Sequence, residues 1–223
     1  MNQSVSRYKG IIFDLDGTLL DTAEGVLHSL RHTIDVLGYE PLPEEVMRTF
    51  IGPPVKHSLS AAYHLSESEA SRATEIFRMR YKDHDLFKAA PYEGIIKLLS
   101  ALKQKGLLVG VATLKRDDYA HSILEHFHIS KYCDSICGSD FESRMGKADV
   151  LNKCIKELGL SGEDTVLIGD TGSDGNGAKE AGIDFIAVTY GFGPRTAEEW
   201  SRFEPVFTAG AVSELSMFLG LEE

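Results

Sequence analysis

The sequence predicts an α/β fold: a doubly wound, parallel sheet with a small all-helical domain inserted after its first strand. Two features carry that prediction. Beyond about residue 90, short unbroken apolar runs such as Val166-Leu167-Ile168 alternate with stretches of helical period. That is the pattern of parallel strands buried on both faces and joined by helices. From about residue 20 to residue 88, helical period stands alone with no clear strand. The expected division is residues 1–19 and 89–223 for the core and 20–88 for the insertion.

Taken in order, Tyr8 to Phe13 is apolar, β-branched and stopped by Asp and Gly, so it reads as the first strand. Val26, Leu27, Leu30, Ile34 and Leu37 recur at three- and four-residue steps, and Gly38 closes that helix. Pro41-Leu42-Pro43 breaks the chain. Helices follow over Glu44–Phe50, Val55–Leu65 and Glu67–Phe87, with Gly52-Pro53-Pro54 between the first two. His28 and His32, one turn apart, read as a solvated helix face. After Pro91 the units alternate. Helices are expected at Ile95–Lys105, Asp117–Phe127, Lys147–Leu158, Gly175–Ala181 and Val212–Leu219. Strands are expected at Leu107–Thr113, Ser135–Gly138, Thr165–Gly169, Phe185–Tyr190 and Pro205–Thr208. Glu198-Glu199-Trp200 reads as surface helix with a packed tryptophan. The core is thus Rossmann-like.

Composition narrows the function. A chain of 223 residues holds one α/β domain plus a small insert, and 43% hydrophobic content is ordinary for a globular protein. The net charge of -11 argues against a nucleic-acid-binding face, though a local pocket can still be positive. Cys133, Cys137 and Cys154 cannot all pair within the chain and read as reduced thiols of a cytoplasmic protein. Met1 to Gly10 has no apolar signal core, and no run nears the roughly 18 apolar residues of a membrane span. No membrane or nucleic-acid partner is expected. Monomer and homodimer both fit.

The chemistry begins at Asp14-Leu15-Asp16-Gly17-Thr18. In extended chain, residues i and i+2 point to the same side, so Asp14 and Asp16 share one small volume at a strand exit. Two carboxylates that close repel unless a cation lies between them or one keeps its proton. In an open α/β sheet, ligands bind beyond the carboxyl ends of the strands. Other strand and helix ends deliver Thr113, Lys147, Asp170 and Asp174 to that same edge. For an arbitrary α/β protein, acids, a hydroxyl and a lysine gathered at one edge are an improbable coincidence. A phosphate dianion approaches a carboxylate only if cations offset the repulsion, and Mg²⁺ takes hard oxygen ligands such as Asp.

The ordered set D-x-D, Thr, Lys and G-D-x-x-x-D resembles the four motifs of the haloacid dehalogenase-like phosphatases. Ile51-Gly52-Pro53-Pro54 and Val188-Thr189-Tyr190-Gly191-Phe192-Gly193 resemble its phosphoglycolate phosphatase-like branch. The resemblance covers nearly the whole chain and identifies the helical insertion with the family's cap. It implies that Asp14 attacks phosphorus and becomes an aspartyl phosphate. Asp16 would protonate the leaving alcohol and then activate water. Thr113 and Lys147 would bind the phosphoryl oxygens. Mg²⁺ would be held by Asp14, Asp170 and the backbone carbonyl of Asp16, with Asp174 close behind. The implied substrate is a small phosphorylated metabolite: phosphoglycolate, a nucleoside monophosphate or a sugar phosphate. Lys56, beside the Gly-Pro-Pro loop, is a candidate leaving-group contact. A phosphomutase of the β-phosphoglucomutase type and a non-catalytic phosphoaspartate or metabolite-binding module are the alternatives. Thr18 favours hydrolysis over the mutase.

The chain departs from the family pattern in three places. Leu114 stands where Asn often follows the motif-two hydroxyl, so a polar contact is lost or made by backbone. Ala148 replaces a common Pro, which matters little at a helix start. Gly175 and Gly177 lie early in the motif-four helix, where they either delay its start or leave room for a close approach.

Overall fold

The computed structural model describes residues 7–142 and 144–221. Most of the Met1 to Gly10 stretch read for a signal core lies outside them. Asp21–Ala90 forms one compact unit, and the chain on either side of it forms the other. The chain passes between the units at two short strands, Leu20–Asp21 and Ala90–Pro91. No helix among the described residues is long and apolar enough to cross a membrane.

In chain order the elements are β1 (Gly10–Phe13), β2 (Leu20–Asp21), α1 (Ala23–Leu37), α2 (Glu44–Arg48), α3 (Val55–Tyr63), α4 (Glu67–Arg80), β3 (Ala90–Pro91), α5 (Ile95–Gln104) and β4 (Leu108–Arg116). Then come α6 (Asp117–His126), β5 (Ser135–Ser139), α7 (Lys147–Leu158), β6 (Thr165–Gly169), α8 (Gly172–Ala181), β7 (Asp184–Val188), α9 (Ala197–Trp200), β8 (Phe207–Ala209) and α10 (Val212–Phe218). Short 3₁₀ turns and one π-helical turn complete them.

The larger unit is built on a six-stranded sheet in the order β5-β4-β1-β6-β7-β8. Every pairing in it is parallel. Phe13, the last residue of β1, lies level with Val111 of β4 on one side and Ile168 of β6 on the other. Chain order reverses around β1, which makes its exit the crevice where an open sheet binds ligands. Ile12, Ala112, Cys137, Leu167, Phe185 and Ala187 form one sheet face with Val150, Leu151, Cys154 and Ile155 of α7 and Ala178 of α8. Alternation sends Ile11, Phe13, Val109, Val111, Val166 and Ile168 to the other face, each fully buried. Burial on both sides explains why these strands are continuously apolar. Trp200 is packed into the core, as its sequence context suggested, and its indole N–H donates to the Pro194 carbonyl at 3.1 Å. All three cysteines are free.

The helical unit differs from expectation in one instructive place. A single helix over Glu67–Phe87 is predicted, but the α-helical turn ends at Arg80 and Tyr81–Asp85 winds as a π-helical turn. The wider turn brings Asp85 onto the Arg80 side chain five residues earlier. Asp85 is fully buried, and its carboxylate meets Arg80 Nε at 2.9 Å, Lys88 Nζ at 3.0 Å, His28 Nδ1 at 2.8 Å and Ser29 Oγ at 2.9 Å. His28 is exposed, as a solvated helix face would have it, but its Nδ1 also bonds the buried Asp85 carboxylate. Burial alone would raise this carboxyl, but the bonds from His28, Lys88, Arg80 and Ser29 hold it well below the usual range.

Removing that carboxylate leaves several donors without their shared acceptor. Asp85→Ala is expected to cost about 3 kcal/mol and lower the melting temperature by about 6–12 °C near neutral pH. The contribution of an acid with a depressed folded-state pKa is complete above about pH 4 and fades as pH falls further. The gap between wild type and variant should therefore narrow on acidification. Paired thermal melts at neutral and acid pH measure both effects; a neutral-pH shift below about 2 °C would refute the network's role.

Candidate active site

The site grows from the exit of β1. Asp14 continues the strand, donating its N–H to the Ile168 carbonyl at 2.9 Å. The chain then folds over itself, with Leu20 N–H returning to the Leu15 carbonyl at 3.0 Å and Leu15 fully buried. Asp14 and Asp16 are 6% and 5% exposed, so both carboxyls lie within the protein. Gly17 turns with φ +83°, and a Cβ there would fall 2.1 Å from Asp170 Oδ2. Glycine is required by both the turn and the close approach. Thr18 Oγ1 then donates to Asp170 Oδ1 at 3.2 Å, tying this loop to the exit of β6.

Asp170 follows β6 directly and is fully buried. Its second oxygen accepts the Phe192 N–H at 2.7 Å, so the Tyr190-Gly191-Phe192-Gly193 segment fixes the carboxylate from the far side. That bond was not foreseen from sequence. Asp174 sits in the first turn of α8, where its Oδ2 accepts from the backbone N–H and hydroxyl of Thr171 at 2.8 and 2.7 Å. This local cap starts the helix at Gly172, three residues before the predicted start. The two early glycines therefore do not delay it; they make room. A Cβ on Gly175 would meet the Phe203 ring at 2.7 Å, and one on Gly177 would meet Lys147 Cγ at 2.5 Å. Gly177 thus lets the root of Lys147 press against α8.

Lys147 opens α7 with its side chain 3% exposed. Its Nζ lies 2.5 Å from Asp14 Oδ1 and 2.6 Å from Asp174 Oδ1. Oxygens of Asp14, Asp170 and Asp174 all lie within 4.8 Å of one another. Burial pushes the Asp14 carboxyl up to about 7; Lys147 opposes this, while Asp174 and Asp16 add to it. Burial, then Asp174 and Asp14, raises Asp170 well above the usual carboxylate range. Burial works against a charged Lys147, yet Asp14 and Asp174 raise its pKa and keep it protonated.

The Asp16 carboxylate stands outside this three-acid cluster and pairs instead with Lys115 Nζ at 3.0 Å, each side chain 7% exposed. Together four carboxyls face two lysines, an excess of two negative charges if all ionise. Three hard oxygen donors with that surplus suit a divalent cation.

Thr113 is 1% exposed, and its Oγ1 accepts the backbone N–H of Lys115 at 3.2 Å. Leu114 turns the other way and packs against the core between sheet and α7, so its side chain makes no polar contact in place of asparagine. Lys115 was missed in sequence because the strand was expected to stop at Thr113; β4 runs on to Arg116. The signal was available, since residues 113 and 115 share a strand face. Lys56 lies in the helical unit, in the first turn of α3, with Nζ 2.5 Å from Glu67 Oε1.

The model of haloacid dehalogenase-like hydrolases matches residues 11–188. The chain is 34% identical over 220 residues to a 5′-nucleotidase of Pseudomonas aeruginosa, covering 98% of this chain and 99% of that protein. A phosphoglycolate phosphatase of Agrobacterium fabrum is 33% identical over 187 residues, 81% of this chain and 80% of its own. A tyrosine-protein kinase of Mycobacterium tuberculosis is 35% identical over 95% of this chain and 72% of its own. Among solved structures, one described as a predicted phosphatase from Clostridium acetobutylicum matches with TM-score 0.89 at 34% identity, covering 95% of this chain and 98% of the other. By family model, by kinship and by fold, the chain belongs to the haloacid dehalogenase-like hydrolases, in their phosphoglycolate phosphatase-like branch.

Proposed function

We propose that this phosphoric monoester hydrolase is a Mg²⁺-dependent, cytoplasmic phosphatase of small phosphorylated metabolites, working through an aspartyl phosphate on Asp14. The observation that carries the reading is the buried meeting of Asp14, Asp170 and Asp174 around Lys147. Relatives named for 5′-nucleotide and phosphoglycolate hydrolysis support nucleoside monophosphates and phosphoglycolate as the first substrates to try.

Asp14 supplies the nucleophilic oxygen. Lys147 and Thr113 hold the transferring phosphoryl oxygens, and Lys147 offsets their charge as the dianion enters. Asp16 gives a proton to the departing alcohol and later takes one from water. Asp14, Asp170 and Asp174, with the Asp16 carbonyl, would hold Mg²⁺, which supplies Lewis-acid neutralisation of phosphoryl charge when bound. Asp21–Ala90 serves as a cap that provides leaving-group contacts, Lys56 among them. The expected assembly is a monomer or homodimer.

A phosphatase panel of these metabolites, run with and without chelator, tests the reading. Chelation should abolish phosphate release and Mg²⁺ should restore it, while Asp14→Asn should fall to background. Turnover surviving in Asp14→Asn would remove the nucleophile from the scheme. The packing of α8 on Lys147 yields a second expectation. Gly177→Ala should leave the circular dichroism spectrum unchanged and lower kcat/KM by about 10- to 100-fold, since small misplacements of a positioning cation are costly. A value within about twofold of wild type would show that Lys147 tolerates the displacement.

A further inference from the structure

Lys115 belongs to none of the roles above, yet it is a cation placed within the sheet's ligand-binding edge with its side chain 7% exposed. Burying an ammonium is expensive unless it is paired and hydrogen-bonded. Its flexible stem also loses rotamer entropy when fixed. Its contacts are specific. Nζ lies 3.0 Å from Asp16 Oδ1, and the backbone N–H lies 3.2 Å from Thr113 Oγ1. The two lysines divide the acids between them: Lys147 takes Asp14 and Asp174, and Lys115 takes Asp16.

We infer that Lys115 is a positioning residue for the proton-transfer half of the reaction. Its Nζ fixes the plane of the Asp16 carboxyl, and its N–H occupies a lone pair of Thr113 Oγ1 so that the threonine O–H is aimed at a phosphoryl oxygen. The inference rests on Asp16 being the proton donor. In the first step an Asp14 oxygen bonds phosphorus and the bond from phosphorus to the ester oxygen breaks. That oxygen takes the proton of Asp16 and leaves as the alcohol, and the resulting Asp16 carboxylate stays beside Lys115. In the second step Asp16 takes a proton from water, the water oxygen bonds phosphorus, and the Asp14–phosphorus bond breaks. Inorganic phosphate forms, Asp14 is again a carboxylate and Asp16 again a carboxyl.

A positioning role for proton transfer has a signature that simple phosphate binding lacks. An alkyl ester needs its leaving oxygen protonated, whereas p-nitrophenolate departs without a proton. Lys115→Met in the Mg²⁺-loaded enzyme should lower kcat/KM for the best alkyl phosphate by about 10- to 100-fold and leave that for p-nitrophenyl phosphate within about threefold. Lys115→Arg should recover most of the loss. Inhibition by inorganic phosphate should stay within about twofold of wild type. Equal losses with both esters, or weakened inhibition by phosphate, would overturn the inference and make Lys115 a phosphate-binding cation. Unchanged rates with both would leave it no role. Asp16→Asn run alongside separates the underlying reading: it should show the same alkyl bias, and if it does not, Asp16 is not the donor and both assignments fall.

Discussion

The structure turns on a deliberate mismatch of charge. Four carboxyls are drawn into the crevice beyond β1, β4 and β6, and two lysines answer them. Like charges at that spacing are tolerable in a folded chain only when each is separately anchored. Thr18 and Phe192 anchor Asp170, the Thr171 cap anchors Asp174, and Lys147 spans Asp14 and Asp174. The parallel sheet makes this possible, because neighbouring strands that run in one direction and in register bring their carboxyl ends to one edge. The glycines at 17 and 177 then allow backbone and side chains to approach more closely than a Cβ would permit.

Most of this frame was legible in the sequence for a simple reason. Apolar runs that must be buried on both faces leave little choice of period, and the acids that follow them lie at strand exits whatever the details. What stayed hidden depended on local geometry. The start of α8 was set by the Asp174–Thr171 cap rather than by the poor helix propensity of Gly175 and Gly177. The π-helical turn at Tyr81–Asp85 follows from where Asp85 finds its cations, a tertiary fact. Lys115 was hidden because a polar residue after Thr113 looks like the end of a strand, when it is the strand's next inward position. The Phe192 N–H bond to Asp170 links residues 22 positions apart and has no sequence signature beyond the glycines around it.

Kinship and geometry speak to different parts of the function. Relatives of comparable identity carry names as different as 5′-nucleotidase, phosphoglycolate phosphatase and tyrosine-protein kinase. The first two share the chemistry of a phosphate ester and differ in the alcohol it carries. The phosphoryl group is common to both esters, so names that differ in this way mark a difference in the alcohol.

Two buried acidic sites in this one chain show how a structural carboxylate differs from a working one. Asp85 is met by four donors, so its carboxyl is held ionised and below the ordinary range. That environment is closed, because nothing charged needs to enter. At the strand tips the balance is reversed: acids outnumber cations, and burial lifts Asp14 and Asp170 upward. Folding alone gains nothing from such a surplus, since unpaired buried charge is destabilising. A divalent cation held by those oxygens would offset it. The direction of the displacement, down at a self-sufficient network and up at an incomplete one, separates the two sites by physics alone.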